Sequence, residues 1–261
     1  MPVKADRGGS ALAVERAADV LFLLARLGDV SISELAAATD SSASAVHRIL
    51  TALRNKGLVE QDPDTQHYEL SRAVLRLAKS LSSRADVRRF AVPHMHRLRD
   101  RFGETVTLSV RSGSGRVCIQ QVEGTHEIRW VSEIGRVYPL HSGVTGKVLL
   151  AYSDAKELAA YLQSLESRRR REPDAPDRAQ LVDELDKVRA AGYAMSDNDR
   201  VAGIAAISAP IFGPPGTVAA ALTMAGPSWR CTHDVLERWA PHLREAVDEI
   251  TGLLAPTGDG V

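Results

Sequence analysis

Apolar residues recur at helical spacing in three successive blocks near the N-terminus and then give way to strict alternation. Val14, Ala17, Leu21, Leu24 and Ala25 fall on one face of a helix expected from Ser10, its cap, to about Leu27, behind a disordered tail over residues 1–9. Gly28-Asp29 closes it. Ile32, Leu35 and Ala36 give a short second helix its apolar face. Thr39, Asp40, Ser41 and Ser42 then break the pattern with side chains that bond nearby backbone, so either serine can cap a third helix. In that helix Val46, Ile49, Leu50 and Leu53 form the buried stripe, Ser44, His47, Arg48, Thr51 and Arg54 face outward, and Gly57 ends it. Leu58–Gln61 and His67–Leu70 alternate apolar and polar around the turn Asp62-Pro63-Asp64-Thr65, which makes a short hairpin.

Ser71 can cap a further helix in which Val74, Leu75, Ala78 and Leu81 form an apolar stripe. The stripe is too short to build a core alone, so it either packs on its own domain or pairs with a second copy of itself; pairing is favoured, because a reader of palindromic DNA needs two heads at fixed spacing. Ser82-Ser83-Arg84-Ala85 reads as a hinge. A second unit begins near Asp86 with a helix carrying Phe90, Val92, Met95, Leu98 and Phe102. Thr105–Arg111, Val117–Val122 and Ile128–Val131 read as strands, and a glycine-bearing loop then enters an apolar helix near Lys147. Helices are expected over 155–165 and 178–190, buried strands over 204–211 and 218–224 about the turn Gly213-Pro214-Pro215-Gly216, and a last amphipathic helix over 233–254. The four arginines of 168–171 are read as an exposed loop. The order predicts an α+β fold with an antiparallel sheet, divided as 10–71, a linker helix over 72–85, and 86–255.

Composition adds modest constraints. The 261 residues are 44% hydrophobic and 25% charged, with a formal net charge of +0, so the whole chain carries no sign of a nucleic-acid partner. Residues 1–84 hold 11 Lys+Arg against 10 Asp+Glu. The asymmetry is local: no acid stands between Ser41 and Gly57, and Arg72, Arg76, Lys79 and Arg84 follow the hairpin. MPVKADRGGS lacks the apolar core of a signal peptide, no apolar run spans a bilayer, and Cys118 and Cys231 are expected to be free thiols; the expected compartment is the cytoplasm.

The outward face of the third helix suggests a chemistry. A helix with small residues at its start can lie deep in a DNA major groove, which nominates Ser42, Ala43, Ser44, His47, Arg48, Thr51 and Arg54 as contacts. An ordinary amphipathic helix with a solvated face fits the same spacing. The following hairpin completes a winged helix-turn-helix. Its tip carries Asp62 and Asp64, which phosphates repel, so His67 and Gln66 are the expected wing contacts.

Three stretches, SASAVHRILTALRNKGLVE at 42–60, PLHSGVTGKVLLAY at 139–152 and RAAGYAMSDNDRVAGIAAISAPIF at 189–212, resemble the IclR family of bacterial transcriptional regulators. The resemblance spans nearly all of 10–254. It implies an N-terminal winged helix, a linker helix, a GAF-like effector domain, and dimers often paired into tetramers. It also implies a double-stranded DNA operator whose binding a small organic effector alters, with repression the commoner outcome and no cofactor. Gly143-Val144 occupies the place where the family's backbone amides hold an effector carboxylate, although a plain helix-entry turn reads equally well. Where family members that bind small oxo-acids carry an Asp, a Cys and two Ser, this chain has Ser196, Ala206, Thr223 and Ala225. That loss of a charge and a hydroxyl predicts a ligand less polar than glyoxylate or pyruvate, such as an aromatic acid, with Ile128 and Trp130 among the walls. The runner-up is a ligand-binding regulator that acts through protein contacts without DNA.

Enzymatic and metal readings find no support in the residues. GVTGK at 143–147 has two residues between its glycines where a phosphate loop needs four, and Val148 where it needs Ser or Thr. His94 and His96 point to different sides of a helix, Cys231 and His233 lack a second pair, and no G-x-S-x-G elbow occurs.

Overall fold

In the computed structural model, which describes residues 7–81, 87–169, 176–214 and 216–255, the chain divides into two units, residues 1–84 and 85–261. In the first, α1 (Arg7–Leu27) starts three residues ahead of Ser10, which therefore sits inside the helix and does not cap it. Apolar spacing marks where a helix gains a packed face, not where its backbone begins. That face is Val20 and Leu24, with Leu21 and Leu23 beside them, whereas Val14 and Ala25 are exposed.

Ser31 caps α2 (Ile32–Ala38) in a reciprocal box with Glu34, each satisfying the other's orphan backbone N–H. The hydrogen bonds to Ser31 hold the Glu34 carboxyl below the usual carboxylate range. The chain turns through Asp40 at φ 47°. Ser42, not Ser41, caps α3 (Ala43–Asn55) by accepting from Ala45 N at 3.3 Å. Val46, Leu50 and Leu53 of α3 close on Val20, Leu24, Val30, Leu35, Val59 and Tyr68 as the core of this unit, with Ile49 half-buried at its edge. The wing is β1 (Val59–Gln61) antiparallel to β2 (Tyr68–Leu70), widened by a bridge between Val30 and Tyr68. After Ser71, α4 runs from Val74 to Leu81. The expected hinge at 82–85 lies outside the described residues.

The second unit is a six-stranded antiparallel sheet between two helical layers. Its elements are α5 (Val87–Phe102), β3 (Thr105–Ser112), β4 (Gly115–Val122), β5 (Val137–Pro139), α6 (Gly143–Ala151), α7 (Ala155–Arg169), α8 (Arg178–Ala191), β6 (Ala194–Asp197), β7 (Ile204–Gly213), β8 (Thr217–Pro227) and α9 (His233–Leu254). The strand order is β5-β4-β3-β8-β7-β6. Alternation decides the two faces. Val106, Leu108, Ile207, Ala209, Leu222 and Met224 pack with α5 and α9 residues such as Met95, Trp239 and Leu243 in one core. The opposite face carries smaller and more polar residues, and there α6, α7 and α8 build a second core around Leu140, Val148, Leu149, Leu165 and Leu185.

Three expectations need correction. Ile128–Val131 is not a strand; side chains hold its backbone, with Thr105 Oγ1 donating to Trp130 O at 2.6 Å and Arg230 Nη2 to Ile128 O at 2.9 Å, and the third strand of that region is β5. The apolar helix begins at Gly143 rather than near Lys147. Arg168 and Arg169 belong to the last turn of α7 rather than to a loop, while Arg170 and Arg171 lie outside the described residues. The strand β6, four residues long, is too short to show a period in the sequence.

Candidate functional site

The candidate DNA-reading face is one side of α3. Ser42, Ala43, Ser44, His47, Arg48 and Arg54 are exposed and Thr51 is half-buried. They differ in how far they are committed elsewhere. Ser42 is occupied by the cap and lies 3.1 Å from Ser44 Oγ. Arg54 Nη1 donates to Gln61 Oε1 at 2.9 Å, bracing α3 against the wing, and Gln61 in turn donates to Gln66. His67 Nδ1 sits 3.2 Å from Asp29, which ties the wing to the end of α1. Among the described residues, the side chains of His47 and Arg48 make no hydrogen bond or ion pair within the protein. The wing tip is folded by its own acid: Asp62 Oδ1 accepts from Asp64 N at 2.7 Å and Thr65 N at 2.9 Å. Those backbone donors hold its carboxyl below the usual range. His47, Arg54, Gln61, Gln66 and His67 border one concavity of about 510 Å³ between α3 and the wing.

In the second unit, a cavity of about 50 Å³ opens on the polar face of the sheet at the N-terminus of α6. Trp130, Gly143, Val144, Ser196, Ala206, Thr223 and Ala225 all line it. The antiparallel register explains how residues so far apart in sequence meet: Ser196 pairs with Ala206, Ala206 with Ala225, and Thr223 with Thr107. Gly143 adopts φ 74°, open to glycine but strained for other residues, and with Val144 and Thr145 places the first turn of α6 in the cavity wall. Gly146 permits closer packing still, since a Cβ there would lie 2.3 Å from Leu140 O. The Thr223 hydroxyl is engaged by Thr145 Oγ1 at 2.9 Å and Ser208 Oγ at 2.8 Å. Ile128 does not line the cavity and is 67% exposed, because its segment is a loop and not the strand that would have turned it inward.

Two family models match the chain: the IclR helix-turn-helix domain over residues 13–63 and the bacterial transcriptional regulator IclR C-terminal domain over 79–252. The chain belongs to the IclR family. It is 31% identical to the HTH-type transcriptional regulator BhcR of Paracoccus denitrificans, over 98% of this chain and 91% of that one. It is 30% identical to the HTH-type transcriptional repressor AllR of Salmonella typhi, over 96% and 92%. Its fold matches the crystal structure of the Thermotoga maritima IclR with a TM-score of 0.72 at 29% identity, over 94% of this chain and 99% of that one. An IclR homolog from Microbacterium hydrocarbonoxydans, crystallised with 4-hydroxybenzoate, shares the fold with a TM-score of 0.73 at 21% identity, over 93% and 98%. This chain is accordingly a DNA-binding transcriptional regulator, and α3 is the second helix of its IclR helix-turn-helix.

The cavity also contains residues that the sequence did not nominate: Thr107, Arg116, Ser132, Thr145, Arg200, Val201 and Ile204. The two arginines matter most. Arg116, on β4, is 95% buried, being 5% exposed, and its Nε makes no hydrogen bond within the protein. Burial, with the neighbouring Arg200 charge adding to it, pulls its guanidinium down to about 10. Arg200 stands on the β6–β7 loop and stacks on Trp130 and Tyr138, 5.1 and 4.6 Å from their ring centres. Lys147 of α6 pins that loop by donating to Asp199 at 2.7 Å while also reaching Glu184 at 3.1 Å. No spacing rule could have found Arg116, since a charged residue inside a strand reads as facing solvent. Among the described residues no group of three or more His, Cys, Asp or Glu is placed to hold a metal.

Proposed function

We propose that this regulator reads palindromic operator DNA as a homodimer, inserting α3 of each copy into a major groove, and that a small organic acid in the α6 cavity controls it. The observation that carries the DNA contacts is the pair His47 and Arg48, exposed on α3, whose side chains bond nothing else among the described residues. Ser44 and Thr51 flank them for base or phosphate contact, while Arg54 and His67, already braced, position the wing. Dimerisation is supported by apolar surface that the first unit leaves uncovered: Leu12, Val14 and Phe22 on α1 and Leu75 on α4 are 47%, 68%, 73% and 68% exposed.

The effector's carboxylate sits at the amides of Gly143 and Val144, where the helix dipole favours an anion. Trp130, Val144, Ala206 and Ala225 cover its carbon skeleton. An aromatic carboxylate in the fold relative from Microbacterium hydrocarbonoxydans supports the class of ligand, and the repressor AllR supports repression as the default output. The acid acts by preferring one arrangement of the paired effector domains, which resets the spacing of the heads through the linker helices. The test is fluorescence anisotropy with the DNA upstream of the protein's own gene. Binding is expected to fall steeply with salt, through released counterions, and to respond to an organic acid. Salt-insensitive or absent binding to every fragment of that region would defeat the assigned DNA contacts.

A further inference from the structure

We infer that the acid this pocket selects is a dianion, held at one pole by Arg116, Arg200 and the first amides of α6 together. The inference rests on the effector reading above and specifies its ligand. Both arginines converge on Gly143: a Cβ built there would lie 3.5 Å from Arg200 Cβ and 3.8 Å from Arg116 Nη2. Both guanidiniums lie against the Tyr138 ring, 5.1 and 4.6 Å from its centre, and the Arg116 guanidinium and the Arg200 stem border the start of the helix whose N-terminus already favours negative charge. No carboxylate of the described residues pairs with either one. The acid nearest in sequence to Arg200, Asp199, is spoken for by Lys147. Arg116 is held by the sheet, its backbone paired with Tyr138 and its guanidinium 5.1 Å from that ring. A buried cation with an unsatisfied Nε beside a second cation is costly to the fold. Such a pair is best accounted for as a preformed site for an anion that satisfies both.

One carboxylate would balance one guanidinium and leave the other uncompensated, so two negative charges fit the pole better. The polar wall of Thr107 and Ser132 suits the remaining oxygens. Either a short dicarboxylate or a phosphoryl group has this chemistry, which reverses the less polar ligand expected from Ser196, Ala206, Thr223 and Ala225 alone, because Arg116 and Arg200 supply charge that those four positions lack.

The test is calorimetric titration and thermal melting of the full chain at fixed ionic strength. The probes are malonate and phthalate as dicarboxylates, inorganic phosphate, and propionate and benzoate as matched monoanions. The expected result is that a dicarboxylate or phosphate binds at least tenfold tighter than the monoanions and raises the melting temperature. Which of the two does so identifies the source of the charge. Arg116→Met is expected to abolish that preference yet melt no lower than the parent without added acid, because it removes an unpaired buried charge. Arg200→Met, a half-buried change, is expected to lose at least tenfold in dianion affinity and serves if the first variant fails to fold. Monoanions binding as tightly as dianions, or either variant retaining the preference, would overturn the dianion alone. If none of these acids binds at all, the effector pocket falls with it.

Discussion

At the residue scale, the side chains that matter are those the fold leaves uncommitted. His47 and Arg48 were legible from helical spacing alone, because a period of 3.6 sorts an amphipathic helix into faces before any partner is known. Replacing Arg48 by Ala is expected to weaken operator binding by about 1–3 kcal/mol if it holds a base edge. Anisotropy on the cognate operator measures this, and unchanged affinity would take Arg48 off the reading face. Gly146 makes a different point. Its glycine reads as loop chemistry, yet it lies within α6 where the Leu140 carbonyl approaches too closely for a methyl group. Gly146→Ala should cost roughly 1–3 kcal/mol of stability through overpacking, visible in denaturant unfolding. Cys118 and Cys231 are both free and buried. Burial raises both thiols, Cys231 to about 12. Neither should be alkylated in the folded protein at pH 8, and labelling found by mass spectrometry before unfolding would show that one is open to solvent.

Caps and turns govern the element scale. Thr39-Asp40-Ser41-Ser42 announced a break and a cap, and the structure chose Ser42. Ser42→Ala should destabilise the first unit by about 1 kcal/mol through the lost cap. A heat-denaturation midpoint that does not move would mean that another group takes over Ala45 N. The wing was legible because its strands alternate and Asp62-Pro63-Asp64-Thr65 is turn chemistry. What could not be read is that the Asp62 carboxylate folds the turn itself, so its charge is partly spent on backbone donors. The segment 128–131 went the other way. Its alternating, β-branched character looks like a strand, but side chains of Thr105 and Arg230 reach its backbone first, and Gln121 accepts from Ser132 N just beyond it. That competition is between elements far apart in sequence, and no local rule registers it.

At the scale of the whole molecule, stability and assembly become measurable together. His94, buried on α5, lies 2.7 Å from Arg97 Nη2 and 3.1 Å from Glu249 of α9. Burial, then the Arg97 charge, lowers its pKa from 6.5. A base held below its unfolded value takes up its proton less readily in the fold than in the unfolded chain. Its contribution is therefore whole above pH 6.5 and is lost as the pH falls through 6.5 toward the lowered value. The melting temperature should drop over that range, and less steeply in His94→Gln; an equal slope in both would assign the loss to other groups. Leu75→Asp tests the proposed pairing. Sedimentation is expected to show dimer giving way to monomer, and an unchanged dimer would place the interface elsewhere.

The sequence by itself determined the helices and the longer strands, though not β5 or β6, together with the helix-turn-helix, its wing and the outward face of α3. All of these follow from periodicities and cap chemistry that act over a few residues. It also placed Gly143, Ser196, Ala206, Thr223 and Ala225 around one pocket, though only through likeness to a family. The tertiary structure alone decided that Arg116 and Arg200 meet at Gly143. That meeting depends on the pairing of β4 with β5, the turn between β6 and β7, and the start of α6, which together bring residues more than eighty positions apart to one point. Like charges do not seek each other, so nothing in their local sequence predicts it; the sheet's hydrogen bonds and the two cores impose it.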